Sequence, residues 1–307
     1  MSGALTMTCR RCGAVLRGDP ALQLGKRAYS YEKLVFRCQS CQVGYSNAAT
    51  EADRVEITAT PVGNVPAEVH AGLTEALSRS VNVVARAGKA WKFCSAKSED
   101  AATWTVIRAL QITSQIERIA VASGGGDLTT GAPARVLFWG SPAPGSGPEA
   151  DATAGTLAAI ADDLGERPDR RSEPDCVVCW DDLVVVIEAK LSSANDRQTK
   201  DLDRFDRYLD RSEPWAATPE EIKQAGLYEL VRNWIIAWEL AERTGAAHAV
   251  LVNLAPTGHG ADVEAFRKLV AASQARRVEH LRWRDVLADP APGWLSDYAQ
   301  RLGLPTL

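Results

Sequence analysis

The run Glu173–Lys190, EPDCVVCWDDLVVVIEAK, holds two apolar stretches, CVVCW and LVVVI, separated by Asp181-Asp182. Short β-branched runs broken by a polar pair read as two buried strands that turn at the acids. With Trp180 paired to Leu183, the antiparallel register runs back to set Asp175 directly opposite Glu188, with β-carbons about 5 Å apart. Lys190 lies two residues beyond Glu188 and therefore projects from the same face. Apolar packing alone gives no reason for an acid, an acid and a lysine at the ends of buried strands.

Two carboxylates held this close repel unless a cation or a shared proton sits between them. A divalent ion meets that need, and oxygen-only donors suit Mg2+ or Mn2+ better than Zn2+. The Lys190 ammonium is placed to orient or help deprotonate an attacking water and to offset charge building on a phosphate. These are the parts of a phosphodiester hydrolase. A solvated salt-bridge cluster uses the same residue types. What favours chemistry is that the acids terminate an apolar run instead of alternating along a polar face.

Cysteine spacing carries the second signal. Cys9-x2-Cys12 and Cys38-x2-Cys41 form two knuckles, and four thiolates arranged so complete the tetrahedral site that Zn2+ prefers. The alternative, two disulfides, fits poorly with a chain that opens on no secretory signal. Cys176 and Cys179 have the same spacing, but three residues along a strand send side chains to opposite faces, so they and Cys94 read as small core residues.

At 307 residues the chain has room for about two domains. The expected division is a zinc-ribbon module at 1–60 and a larger α/β domain at 61–307. In the larger part, Ser98 caps a helix running through EDAATWTVIRALQ, ARVLFWG and the two runs above are strands, and AHAVLVNLAP is another. TPEEIKQAGLYELVRNWIIAWELAERTG reads as one long helix, with a capping box at Thr218 and Glu221 and a stop at Gly245. A helix at 262–274, a strand at 278–282 and two short terminal helices complete a mixed sheet flanked by helices. SGGGDLTTGAP and GSPAPGSGPEADATAG read as Gly/Pro-rich inserts, and KDLDRFDRYLDR as a solvated helix.

Pro174-Asp175, followed by Glu188-Ala189-Lys190 closing an apolar strand, resembles the PD-(D/E)xK nuclease superfamily, the restriction-endonuclease-like fold, over about residues 90 to 255. The resemblance implies a core of helix, three strands, helix and strand. Through SEDAATW it also implies that Glu99 joins Asp175 and Glu188 as a metal-site carboxylate; an acid at a helix N-terminus is equally what the macrodipole favours. Gln224, Tyr228 and Arg232, four residues apart, share a helix face that in such a family approaches the site or the nucleic acid. A role in restriction or phage defence is the functional expectation, with DNA as the substrate. RNA would be served by the same parts, because a site acting on phosphate does not read the sugar.

The remaining features weigh against other classes. The four histidines have no ligand spacing, GGG at 124–126 lacks the Gly-Lys-Ser/Thr of a phosphate loop, and Trp234 with Trp238 reads as core. No apolar run approaches a bilayer span, so the expectation is a cytoplasmic protein without membrane contact. Net charge is −4, yet residues 1–45 hold seven Lys or Arg against Asp19 and Glu32, a local +5 that leaves −9 elsewhere. A basic ribbon can grip phosphate, while the acidic remainder points to a homodimer or a partner protein for further contacts. The rival reading is a zinc-ribbon binding or adaptor protein that keeps a nuclease-like fold without cleaving.

Overall fold

A computed structural model describes residues 5–28, 30–79, 86–129, 133–167, 171, 173–195, 202–287 and 289–304. At the N-terminus, β1 (Thr6–Thr8) pairs antiparallel with β2 (Val15–Arg17). A second antiparallel sheet follows in the order β3 (Phe36–Cys38), β4 (Val43–Tyr45), β5 (Glu56–Thr58). Met7, Leu16, Val35, Phe36, Val43 and Tyr45 make its small core beside the cysteines. The strand β5 also bonds outward. Thr58 N donates to Cys94 O and Ala96 N donates to Glu56 O, each at 2.9 Å, while Tyr31, Leu34, Ile57 and Cys94 bury one another. The ribbon is thus sewn to the segment that leads into the larger unit.

That unit contains α1 (Leu73–Arg79), α2 (Arg86–Phe93), α3 (Glu99–Ile112), α4 (Glu117–Ala122), β6 (Arg135–Phe138), β7 (Ser141–Pro142) and α5 (Glu149–Asp163). Then come β8 (Cys176–Cys179), β9 (Leu183–Ala189), α6 (Leu202–Arg207), α7 (Pro219–Ala225), α8 (Tyr228–Thr244) and β10 (His248–Leu254). It ends with α9 (Gly260–Arg267), β11 (Arg276–Leu281), α10 (Trp283–Val286) and α11 (Gly293–Leu302). The six strands form one mixed sheet in the order β11-β10-β9-β8-β6-β7; β9, β10 and β11 run parallel and the rest antiparallel.

Period-two alternation assigns each strand residue to a layer. Leu183, Val185 and Ile187 face a core shared with Trp104, Ile107 and Leu110 of α3, and Val184 and Val186 face Trp234, Ile235 and Leu240 of α8. A strand covered on both faces must be apolar throughout, which accounts for LVVVI. Cys176 and Cys179 fall in opposite layers, as strand geometry requires. The expected hairpin register is observed, with Cys176 opposite Ile187 and Val177 opposite Val186.

Four differences from the sequence reading stand out. Helix α5 occupies Glu149–Asp163, where an insert was expected; the Gly/Pro bias ends at Pro148, and Leu157 and Ile160 then anchor the helix in the core. Helices α1 and α2 precede α3. The long helix is broken, because Gly226 (φ 74°) and Leu227 (φ 60°) both leave the right-handed region. Gln224 therefore sits exposed on α7, off the face that carries Tyr228 and Arg232. Finally, the segment expected to be solvated buries Phe205 and Tyr208 at and beyond α6, while Lys200 and Asp201 lie outside the described residues. Among the described residues, no helix is long and apolar enough to cross a membrane.

The start of α7 matches its sequence signal closely: Thr218 Oγ1 accepts from Glu221 N, and Glu221 Oε2 accepts from Thr218 N at 2.8 Å. Thr218→Ala should lower stability by about 1 kcal/mol, read as a shift in urea midpoint.

Candidate functional site

The four N-terminal cysteines converge. Their sulfur atoms all lie within 4.8 Å of one another, and Cys12 Sγ stands 3.7 Å from Cys38 Sγ. Tetrahedral zinc with Zn–S bonds of about 2.3 Å separates its sulfurs by about 3.8 Å, so the donor set and spacing fit a structural zinc ion. None of the seven cysteines is disulfide-bonded, and the four ribbon sulfurs converge as one group instead of as two bonded pairs. Burial opposes ionisation of Cys9, but the Tyr45 hydroxyl and the backbone N–H groups of Cys12 and Arg11 bring its pKa down to about 6. Sharing a proton with Cys12, reinforced by burial, pushes Cys41 up to about 12. Four crowded sulfurs cannot all be thiolates without a cation among them, which is the condition a bound divalent ion relieves.

The second site lies at the C-terminal end of β9. Asp175 immediately precedes β8, and its Oδ2 accepts from Ala189 N at 2.9 Å, continuing the hairpin beyond the ladder. Glu188 and Lys190 fall on the α8 side of the sheet, as Asp175 does by the same alternation. Lys190 is held by its backbone: its N–H donates to Leu254 O at 2.8 Å, and its carbonyl accepts from Trp283 Nε1 at 2.9 Å. Its ammonium lies 2.6 Å from Glu188 Oε1 and 2.9 Å from Glu229 Oε2. Glu188 Oε2 accepts from Asn233 Nδ2 at 2.6 Å and from Arg232 Nη2 at 3.3 Å. Glu188 and Lys190 are only 3% and 5% exposed.

Glu99 reaches the same place from the other side of the sheet. Ser98 caps α3 by accepting from Ala101 N, and this presents Glu99 on the first turn. Its Oε1 accepts from Leu191 N at 2.8 Å and from Ser193 Oγ at 2.8 Å, tying α3 to the turn after β9. Glu99, Asp175, Glu188 and Lys190 all line one cleft of about 690 Å³ between the ribbon and the α/β unit. Within the cleft their acidic oxygens do not close as the sulfurs do: among the described residues, the cysteines form the one group of three or more donors within 4.8 Å of each other.

Several members of this cluster had no clear mark in the sequence. Lys89 of α2 bridges Asp100 Oδ1 and Glu173 Oε2, each at 3.2 Å, and lies 4.8 Å from the centre of the Trp139 ring. Glu229 and Asn233 approach from α8, one turn apart, on the face that carries Arg232. Pattern could have flagged Glu229 and Asn233 as polar residues on the buried side of an amphipathic helix. Among the described residues, six carboxylates (Glu99, Asp100, Glu173, Asp175, Glu188, Glu229) and three cations (Lys89, Lys190, Arg232) gather at the floor, while Lys26, Arg27, Lys92 and Lys97 line the same cleft.

The electrostatics separate the two central acids. Burial opposes charge on Glu188, but Lys190 and Arg232 outweigh it and hold its carboxyl below the usual range. Burial pushes Asp175 well above that range, Glu188 and Asp100 push it further, and Lys190 and Lys89 offset only part. Of the two, Asp175 is therefore the carboxyl that more readily holds a proton, and a cation beside it would favour its ionised form. Arg232 of the predicted helix face reaches this cluster, Tyr228 lies beneath it with the ring centre 6.0 Å from its guanidinium, and Gln224 does not take part. The chain matches no protein-family model, no curated protein and no solved structure.

Proposed function

We propose that the protein is a divalent-metal-dependent nuclease that hydrolyses phosphodiester bonds of DNA, on a restriction-endonuclease-like arrangement of the mixed sheet. The observation that carries this reading is the gathering of Asp175, Glu188 and Glu99 beside Lys190 on the floor of one cleft open to solvent, with Glu188 and Asp100 crowding Asp175. Asp175, the Oε2 atom of Glu99 and Glu188, once it releases one of its present donors, would be the oxygen ligands of a hard ion, and such a set suits Mg2+ or Mn2+. The ion, when bound, would polarise a phosphoryl oxygen and acidify a water. Lys190, locked by Glu188 and Glu229, positions a fixed positive charge beside the phosphate. The ribbon contributes basic residues to the cleft wall.

One observation favours the rival reading, a non-cleaving nucleic-acid-binding or adaptor protein. Glu188 is already satisfied by three donors, as a purely structural network would be. Asp175→Asn separates the two. The amide preserves an acceptor for Ala189 N and relieves repulsion from Glu188 and Asp100, so stability should stay equal or rise by up to about 1 kcal/mol. Cleavage of plasmid and linear DNA in Mg2+ or Mn2+ should fall by at least 100-fold. Intact DNA with the wild-type protein would favour the adaptor, and undiminished cutting by the variant would remove Asp175 from the chemistry.

A further inference from the structure

The same cleft is built for a strand and not for a duplex. Glu188 and Lys190 lie at its floor, almost wholly withdrawn from solvent, so a phosphate must enter the cleft to reach them. A space of about 690 Å³ is of the size that encloses one small ligand, in a range of roughly 300–1,000 Å³. One or two nucleotides fit it; two paired strands do not. One wall is ribbon, contributing Lys26, and the other is α2 with the turn after it, contributing Trp91, Lys92 and Lys97. All three lysines are exposed, and none makes an ion pair among the described residues. Trp91 is 45% exposed and lines the cleft, an unusual position for an indole. Lysines on opposite walls, a half-exposed indole on the α2 wall and the acids below make the layout of a single-strand groove, in which phosphates track the cations and a base stacks on an aromatic ring.

We propose that the cleft between the ribbon and α2 binds single-stranded nucleic acid, such as an overhang, flap or unwound end, with one base stacked on Trp91 and phosphates against Lys26, Lys92 and Lys97. This rests on the nucleic-acid reading above but not on cleavage. The test is fluorescence anisotropy with labelled dT20 and a blunt 20-base-pair duplex, in buffer free of Mg2+, Mn2+ and chelator. The wild-type protein should bind dT20 at least ten-fold more tightly than the duplex. Trp91→Ala should weaken dT20 binding about ten-fold while leaving the melting temperature unchanged, in line with the loss of one stacked base. Replacing Lys26, Lys92 and Lys97 together by alanine should reduce the slope of log K against log salt by about 2, at about 0.7 per phosphate contact on a single strand. Equal or tighter binding of the duplex, or dT20 binding indifferent to Trp91→Ala, overturns the proposal. Failure of the nuclease reading has a different signature: dT20 bound as described but never cut when Mg2+ is added.

Discussion

Cys38→Ser is expected to unfold the ribbon and leave the six-stranded sheet standing. A core built from Met7, Leu16, Val35, Phe36, Val43 and Tyr45 on strands of three residues is too small to hold residues 5–58 by burial alone. The sulfur site supplies the difference, since structural zinc contributes on the order of 10–16 kcal/mol of apparent binding free energy near neutral pH. Unfolding of the ribbon would also break the bonds of the buried Tyr45 hydroxyl, which lies 3.5 Å from Cys9 Sγ and accepts from Arg10 N at 2.6 Å. Elemental analysis should find one zinc per wild-type chain and less than one in the variant. Hydrogen exchange should show protection lost over the ribbon, including Thr58 N, and reduced at Ala96 N, the two donors of the backbone bonds between β5 and the segment after α2. A chelator should reproduce both effects. A wild-type protein without zinc, melting at the same temperature as the variant, would reduce the cysteine cluster to packing. Because β5 leads by these bonds to Ser98 and Glu99, ribbon loss should also open the cleft wall and weaken nucleic-acid binding.

The sequence made the hairpin and the cysteine site legible because both follow from local rules. Strand register is set by apolar runs and the turn between them, and two knuckles of fixed spacing have few other uses. Glu99 was readable as a capped first-turn acid, but not its bond to Leu191 N, which depends on how α3 crosses the end of β9. Helix α5 was obscured by the Gly/Pro run before it and by Gly155 within it. The break at Leu227 had a visible mark in Gly226, but capping signals at Thr218 and Gly245 bracket both helices and suggested one. Lys89 was beyond reach: nothing near GKAWK in the sequence indicates Asp100 or Glu173, and only the packing of α2 against α3 and the loop before β8 brings them together.

Glu188→Gln should cost about 3–5 kcal/mol, the usual penalty for removing one partner of a buried ion pair, in contrast to the near-neutral Asp175→Asn. The two acids lie on one face at neighbouring positions, yet their surroundings are opposite. Glu188 neutralises Lys190 and Arg232, and its removal leaves both cations in a site with Glu229 as the nearest remaining acid. Asp175 has burial and two other acids against it. The sign of the pH dependence follows. Glu188 has a folded pKa below its unfolded value, so its contribution is fully present above the unfolded value of about 4.3 and is lost as pH falls through the lower folded value. Urea titrations should therefore show the gap between wild type and Glu188→Gln wide at pH 7 and closing in acid below about pH 4. Asp175→Asn should show no such gap at pH 7. Equal penalties at the two positions, or a neutral Glu188→Gln, would mean that the charges at the end of β9 are not partitioned as described, and Lys190 would then lack the fixed position that the proposed chemistry requires.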